Sequence, residues 1–229
     1  MNKLAIIPAR GGSKRIPLKN IKEFLGKPII KYSIEGAINC ALFDEVIVST
    51  DDDQIAEISK NCGAKVPFMR SKETSDDFST LSDVVYEVIS KYISEGKQFD
   101  YICCILPTAP FINSKQLSDA FNKLENESLD SVCSVFKFSY PLFRSFEFTE
   151  DNKLQMIWPE NLNVRSQDFK PTYHDAGHFY WIKTSEFLKE KSLVCKNGSA
   201  IILSELESQD IDNEIDWKLA ELKYKLLHD

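Results

Sequence analysis

Short apolar runs alternate with amphipathic segments along the first 138 residues. Apolar runs of this length are typical of buried strands, and they occupy residues 4–7, 45–49, 65–69 and 101–106. The segments between them carry apolar residues three and four positions apart, as helices do. Because strands and helices alternate, the pattern predicts an α/β fold with a mostly parallel sheet and crossover helices.

Several helix boundaries are marked by capping chemistry. Pro28 suits a first helical position before the apolar stripe of residues 29–41. Residues 50–52 are placed to cap the next helix, and Gly63 to end it. Further helices are predicted over 81–93 and 215–227, and a strand over 132–138. The acids Asp51, Asp52 and Asp53 leave a metal site open, but helix capping is the favoured interpretation.

Length and composition limit the possible classes of protein. A chain of 229 residues with 43% hydrophobic content can bury one sizeable core, so a single domain over 1–229 is expected. No apolar run approaches the ~20 residues of a membrane helix, and no leader-like segment opens the chain. The six cysteines show no C-x-x-C spacing. They predict buried thiols in a reducing compartment, the cytoplasm.

The charge distribution is uneven. The net charge of −7 argues against a nucleic-acid-binding protein. Yet residues 1–31 carry eight basic residues against Glu23 alone: Lys3, Arg10, Lys14, Arg15, Lys19, Lys22, Lys27 and Lys31. A positive region in an acidic protein more often marks an anion site than a solvated surface loop, which is the alternative.

The glycine pair Gly11-Gly12 follows the first apolar run directly. Glycines let backbone N–H groups approach an anion, and nearby cations then neutralise it. The segment therefore predicts a polyphosphate site at the mouth of the sheet. It matches neither the P-loop pattern nor the dinucleotide fingerprint G-x-G-x-x-G.

Residues 9–20 resemble the opening motif A-R-x-x-S-K-x-x-x-x-K-N of the cytidylyltransferases that activate sialic-acid-like sugars. Every fixed position is filled, by Ala9, Arg10, Ser13, Lys14, Lys19 and Asn20. The resemblance implies a three-layer Rossmann-like nucleotidyltransferase fold. It also implies that Arg10, Lys14 and Lys19 hold the triphosphate of CTP and Asn20 the ribose or a phosphate. Ala9, Gly11 and Ser13 belong to the same expected nucleotide site.

Two further segments fit this family. The polar connection 70–80 resembles the segment that wraps cytosine in the family, which implies base contacts from Arg70, Ser79 and Thr80. For the serine and the threonine, helix capping is an alternative that can coexist. The motif Pro107-Thr108-Ala109-Pro110 stands where a buried strand ends, the edge at which open α/β sheets bind ligands.

The acceptor sugar is suggested by later residues. Relatives that use N-acetylneuraminate often carry glutamine before this P-T-[SA]-P motif and arginine after it, where this chain has Leu106 and Phe111-Ile112. The blocks 165–168 (R-S-Q-D) and 173–181 (Y-H-D-A-G-H-F-Y-W) resemble the subgroup that makes CMP-pseudaminic acid. The expected sugar-binding residues are Pro107, Thr108, Arg165, Gln167, His174, Asp175 and His178. Arg165 suits the sugar carboxylate because its planar guanidinium binds one bidentately.

Aromatic residues crowd the stretch between residues 139 and 172, away from the regular alternation. Such a density indicates a folded-back flap or an interface. Family members dimerise by exchanging an arm inserted at this point. The resemblance therefore implies that 139–172 is a dimerisation arm and that the protein is a homodimer.

The chain closes with an acidic run of six carboxylates in twelve residues: Glu205, Glu207, Asp210, Asp212, Glu214 and Asp216. In an extended segment, Asp210 and Asp212 point to one face while Ile211 turns inward. They predict a Mg²⁺ site, with Mn²⁺ as a substitute, facing the cationic loop. Capping of the last helix is the alternative, and Glu214 and Asp216 are assigned to it.

These patterns together predict an enzyme that transfers CMP from CTP to the anomeric hydroxyl of a nonulosonic acid, most readily pseudaminic acid, and releases pyrophosphate. N-acetylneuraminate, legionaminate and Kdo remain alternative acceptors. A sugar-1-phosphate nucleotidyltransferase would need a G-x-G-T-R-L opening that is missing here. A non-catalytic nucleotide sensor would not need the carboxylates Asp210 and Asp212. No nucleic-acid or membrane partner is expected.

Overall fold

The computed structural model describes residues 1–228. Its strands are β1 (Lys3–Pro8), β2 (Glu23–Phe24), β3 (Lys27–Pro28), β4 (Glu45–Ser49), β5 (Tyr101–Ile105), β6 (Ser131–Lys137), β7 (Phe146–Phe148), β8 (Leu154–Met156), β9 (Tyr173–Lys183) and β10 (Gly198–Leu203). Its helices are α1 (Ile29–Asn39), α2 (Asp53–Asn61), α3 (Leu81–Ser94), α4 (Ser114–Asn126), α5 (Thr184–Glu190) and α6 (Glu214–His228). The predicted domain 1–229 also includes Asp229, which lies outside the described residues.

Six strands form the main sheet in the order β10-β6-β9-β5-β1-β4. Strands β4, β1 and β5 are parallel neighbours, and so are β6 and β10. Strand β9 alone runs antiparallel, to both β5 and β6. These parallel pairs confirm the prediction of a mostly parallel sheet. Strand β5 is buried at every position, as strands of such a sheet are when helices cover both faces.

Helices cover both faces of this sheet and complete three layers. One face packs against α1 and α4 through residues such as Ile34 and Leu117. The opposite face packs against α3 and α5 through residues such as Val88 and Phe187. A third apolar cluster joins α6 to the opening loop, where the rings of Trp217 and Phe24 lie 5.6 Å apart. That cluster brings the end of the chain beside its beginning.

The predicted helix caps are present. The Asp52 carboxylate accepts the Ile55 N–H at 3.0 Å and begins α2. Thr80 caps α3 and exchanges hydrogen bonds with Asp83. Gly63 follows α2 with φ of +98°, a conformation that glycine adopts without strain. Pro28 precedes α1 instead of starting it, and the helix ends at Asn39, short of Ala41.

The predicted strand over 65–69 is wrong. Only Lys65 pairs with the sheet, through a single bridge to Ile47. In addition, β9, β10 and the small hairpins were not predicted. Within residues 1–228, no helix combines the length and the apolar character that crossing a membrane requires.

The segment 138–172 leaves the sheet after β6 and returns at β9. It contains the hairpin β7–β8, whose strand β7 is exposed throughout. Lys137 and Tyr173 are paired neighbours in the sheet, so the segment starts and ends at one place. The predicted arm 139–172 corresponds to this excursion.

Candidate active site

A cavity of about 460 Å³ opens at the carboxyl ends of β1, β4 and β5. Its lining includes ten of the residues predicted for the site: Arg10, Ser13, Lys14, Lys19, Asn20, Arg70, Ser79, Thr80, Pro107 and Thr108. Parallel strands bring these residues together, because each strand ends at the same edge of the sheet. The volume suits a nucleotide-sized ligand.

Hydrogen bonds hold the opening loop against the sheet. The buried Asn20 side chain donates to the Arg10 carbonyl at 2.9 Å, and the Gly11 N–H donates to the Asp51 carboxylate at 3.0 Å. A Cβ at Gly11 would lie 2.7 Å from the Asp52 carboxylate, so only glycine fits there. Ala9 is fully buried behind the loop. Asp51 and Asp52 are thus engaged in holding this loop and α2.

The two ends of the chain meet beside the cavity, although neither Asp210 nor Asp212 is among the residues that line it. The Lys19 ammonium donates to the Ile211 carbonyl at 2.7 Å, and the Arg15 guanidinium lies 2.7 Å from the Asp212 carboxylate. Burial lowers the pKa of Lys19, while the carboxylates of Asp212 and Asp210 oppose that shift. The lysine is therefore held in a region of negative potential although it lies among other cations.

In the segment before α6, some acidic residues cap the helix and others do not. Asn213 accepts the N–H groups of Ile215 and Asp216, and the Asp216 carboxylate accepts those of Asp212 and Asn213. Glu214 pairs with Lys22. Ile211 is buried, as predicted, and Asp210 is exposed. The carboxylates of Asp210 and Asp212 are thus free of helix capping.

The residues predicted to contact cytosine line the cavity, but Arg70 and Ser79 already make hydrogen bonds to other protein groups. Arg70 is buried and donates to the carbonyl and the hydroxyl of Ser49. Burial lowers the pKa of Arg70, against the effect of Asp51 and Glu87. The Ser79 hydroxyl donates to the Asp76 carboxylate at 2.6 Å. Arg70 and Ser79 therefore shape the cavity wall, and their contact with cytosine stays a prediction.

Five residues predicted for the sugar lie outside the lining of this cavity, as far as residues 1–228 are concerned. They are Arg165, Gln167, His174, Asp175 and His178. The exposed Arg165 pairs with Asp168 at 2.9 Å, and Gln167 lines a second cavity of about 440 Å³ at the base of the arm. One chain thus brings together most of the nucleotide set, whereas of the sugar set only Pro107 and Thr108 line this cavity.

The remaining three sugar candidates belong to β9. The exposed His174 packs its ring against Phe136 and Phe138. The Asp175 carboxylate accepts the Gly177 N–H at 2.8 Å and the Tyr180 hydroxyl. His178 is only 1% exposed, and neither ring nitrogen has a hydrogen-bond partner within residues 1–228. Burial lowers the pKa of His178 to about 4, so the ring is neutral.

Two acids at the cavity were not singled out from the sequence. Arg10 donates to the Asp76 carbonyl at 2.6 Å and lies 3.0 Å from the Asp77 carboxylate, which Lys14 also contacts. Both acids lie in the polar connection 70–80, for which the sequence predicts only contacts with the base. Arg15 also lines the cavity, although the sequence indicates it only as one of the basic residues of 1–31.

The chain matches the family model described as "Cytidylyltransferase" over residues 4–217. It belongs to the cytidylyltransferase family. The prediction of a nucleotidyltransferase enzyme is confirmed by this match.

Individual relatives of this cytidylyltransferase carry more specific names. A pseudaminic acid cytidylyltransferase from Campylobacter jejuni is 41% identical over 229 residues, which cover 100% of this chain and 99% of the relative. A CMP-N,N'-diacetyllegionaminic acid synthase from Legionella pneumophila is 32% identical, with 96% and 95% of the two chains covered. Both alignments extend over nearly the whole of each protein.

Among solved structures, a CMP:2-keto-3-deoxy-manno-octonic acid synthetase complexed with CTP has a TM-score of 0.70. The sequence identity is 18%, with 100% of this chain and 99% of that chain covered. At this identity the likeness concerns the fold, and it confirms the predicted nucleotidyltransferase architecture.

Proposed function

We propose that this cytidylyltransferase transfers CMP from CTP to the anomeric hydroxyl of pseudaminic acid and releases pyrophosphate. The acceptor is supported by the full-length similarity to a pseudaminic acid cytidylyltransferase. Within that similarity, the blocks 165–168 and 173–181 resemble the subgroup that makes CMP-pseudaminic acid. The observation that carries the chemistry is the contact of Lys19, which lines the cavity, with the Ile211 carbonyl between Asp210 and Asp212.

In the proposed reaction, the anomeric hydroxyl attacks the α-phosphorus of CTP and loses its proton to solvent water. The bond from that phosphorus to the bridging oxygen breaks, and pyrophosphate leaves with the bond's electron pair. Negative charge builds on the phosphoryl oxygens, so fixed cations and orientation supply most of the rate. Arg10, Lys14 and Lys19 surround the cavity at the position where they would bind the triphosphate.

Asp210 and Asp212 are proposed to hold Mg²⁺, or Mn²⁺ in its place. Two exposed or half-exposed carboxylates free of capping are hard oxygen donors of the kind that Mg²⁺ prefers. Within residues 1–228, no cluster of three or more potential ligands is found, so phosphate oxygens and water would complete the coordination. When bound, the ion would neutralise charge on the triphosphate.

For the rest of the nucleotide, Arg70, Ser79 and Thr80 are proposed to shape the cytosine pocket, and Asn20 to fix the loop beneath the ribose. Ala9, Gly11 and Ser13 would present backbone close to the phosphates. Pro107 and Thr108 lie on the same cavity and would face the sugar.

The arm is proposed to make the protein a homodimer. Tyr140, Phe148 and Leu154 are 85%, 70% and 60% exposed. Several large apolar side chains exposed in one segment are typical of a surface that a protein partner covers. A partner that covers them would also bring Arg165 and Gln167 next to another chain. A cytoplasmic location is proposed as well, because all six cysteines are free thiols.

A matrix of nucleotides and sugars, with pyrophosphate detected, tests the proposal. The nucleotides are CTP, UTP, ATP and GTP, and the sugars are pseudaminic acid, N-acetylneuraminate, legionaminate and Kdo. The pair of CTP and pseudaminic acid is expected to give the highest rate. A higher kcat/KM with a legionaminic acid would overturn the acceptor and keep the cytidylyl transfer. No pyrophosphate from CTP with any of these sugars would overturn the function itself.

A further inference from the structure

The cations expected to bind the triphosphate already have an anionic partner in the protein. The Asp77 carboxylate lies between Arg10, at 3.0 Å from one oxygen, and the Lys14 ammonium, which contacts the other. The Asp77 side chain is 41% exposed and the Lys14 side chain 78% exposed, so the group stands at the open side of the cavity.

The loop that carries Asp77 is built to place it there. The Asp76 carboxylate accepts the N–H groups of Phe78 and Ser79 and the Ser79 hydroxyl, so it closes a turn within the loop. The Asp76 carbonyl then receives the Arg10 guanidinium at 2.6 Å. Phe78 at the tip is 90% exposed, which means that the tip is fixed mainly through polar contacts. Of the two adjacent acids, one shapes the loop and the other faces the cations.

The hydrogen bond from Lys14 and the charge of Arg10 hold the pKa of Asp77 below its usual value. The carboxylate is therefore ionised near neutral pH. It presents two oxygens to two cations, much as one phosphate group would. A phosphate bound at the same guanidinium and ammonium groups would lie beside the carboxylate, and the like charges of the two anions would repel each other.

We propose that Asp77 is a positioning residue that serves as an internal counter-ion: it holds Arg10 and Lys14 in place and yields them to the triphosphate when CTP binds. This proposal rests on the proposed function, because it takes the cavity to be the CTP site. On the return path, the carboxylate re-forms its ion pairs as pyrophosphate leaves. Asp77 thus weakens the binding of CTP and speeds the release of product.

The test is equilibrium binding of two probes, CTP and inorganic tripolyphosphate, by calorimetry without sugar. Wild type is compared with Asp77→Asn, which keeps the shape of the side chain and removes its charge. Asp77→Asn is expected to bind both probes about two- to fivefold more tightly, the effect of one exposed ion pair. In the complete reaction with pseudaminic acid, pyrophosphate should inhibit this variant at correspondingly lower concentrations, while the KM for CTP falls.

Two further variants serve as controls. Asp119→Asn removes a carboxylate that also pairs with an exposed lysine, Lys115, but on α4, and it should leave both affinities unchanged. Asp77→Glu keeps the charge and should bind like wild type; if Asp77→Asn does not fold, Asp77→Ser carries the same expectation. Equal or weaker binding by the neutral variants overturns the counter-ion. A wild-type protein that binds neither probe overturns the proposed function, and this inference with it.

Discussion

The cavity at the carboxyl ends of the strands and the arm over 139–172 are stabilised by contacts of opposite range. In the cavity, Arg10 reaches Asp76 and Lys19 reaches Ile211, so contacts join residues up to 192 positions apart. In the arm, most bonds are local: Gln155 donates to Glu147, and Arg165 pairs with Asp168. The bond from Ser139 to Glu205, at the base of the arm, is an exception. The cavity is a product of the whole fold, whereas the arm is stabilised largely by itself.

The difference extends to what each region leaves exposed. The cavity exposes charges, while β7 of the arm exposes the rings of Phe146 and Phe148. Charges in a cleft are what a phosphate ligand requires, and exposed rings are what a protein partner covers. The comparison teaches that one chain brings together most of the residues predicted for the nucleotide. Of the residues predicted for the acceptor, Arg165 and Gln167 lie in the arm.

The largest effect is expected in the cavity, from Asp212→Ala. Loss of one fixed charge group at a reacting phosphate typically costs about 10²–10³ in rate. Turnover should fall by that factor while the melting temperature stays close to wild type, because the Asp212 N–H still donates to Asp216. Glu214→Ala, in the same acidic run but paired with Lys22, is the matched control. Near-normal turnover in Asp212→Ala would remove the metal role.

In the arm, Phe148→Glu should weaken the proposed dimer without affecting the cavity. Replacing an apolar anchor at the centre of an interface costs ~2 kcal/mol, or about 30-fold in the dissociation constant. Light scattering over a dilution series measures it. Ile202→Glu, at an apolar site on β10 that is 61% exposed against 70% for Phe148, should leave the dimer intact. A wild-type protein that is monomeric in dilute solution would contradict the arm's role.

A smaller effect concerns the pH dependence of Lys19. Its pKa is lowered, so the ammonium loses its proton at a pH below the usual lysine value of 10.5. The KM for CTP should rise about tenfold through that range, as a charge-assisted bond is lost. In the pH range between the pKa of Lys19 in the folded protein and 10.5, the folded protein binds fewer protons than the unfolded chain. The contribution of Lys19 to stability therefore rises with pH, so unfolding at this site does not explain the loss of CTP binding. Lys19→Arg, which stays charged, should flatten the curve.

The smallest expected change is in stability, from Gly11→Ala. The added methyl would lie 2.9 Å from the Asp52 Cβ and would disturb the cap of α2. We expect a loss of about 1 kcal/mol in the free energy of unfolding, measured by urea titration. Gly12→Ala is the control, since no atom lies within 4 Å of its added Cβ. Equal stability of the two variants would show that the loop adjusts freely.

The sequence predicted the regular part of the fold because burial leaves a signal in the order of apolar and polar residues. Strand β5, buried on both faces, is apolar at every position, and Asp52 caps the helix that it was expected to cap. Thr80 caps α3, which was the alternative to a contact with the base. The failures have the opposite cause. Strand β10, at the edge of the sheet, is half-buried at three of its six positions and shows no clear period, while the residues of β9 indicated only a sugar motif.

The candidate site shows the same limit. The cationic loop was evident from charge and glycine spacing, and its meeting with residues 210–212 followed from the resemblance. Asp77 could not be found that way, because its importance comes from a fold that brings residues 10 and 77 together. The burial of His178 was equally invisible, since a histidine in a motif does not reveal which way it faces.

The two ends of the arm meet where Lys137 pairs with Tyr173, and the Phe138 N–H donates to the Thr172 carbonyl at 3.0 Å. An excursion with adjoining ends can lengthen, shorten or be replaced without strain on the sheet behind it. The sheet can therefore tolerate insertions or deletions between residues 139 and 172 at little cost in stability.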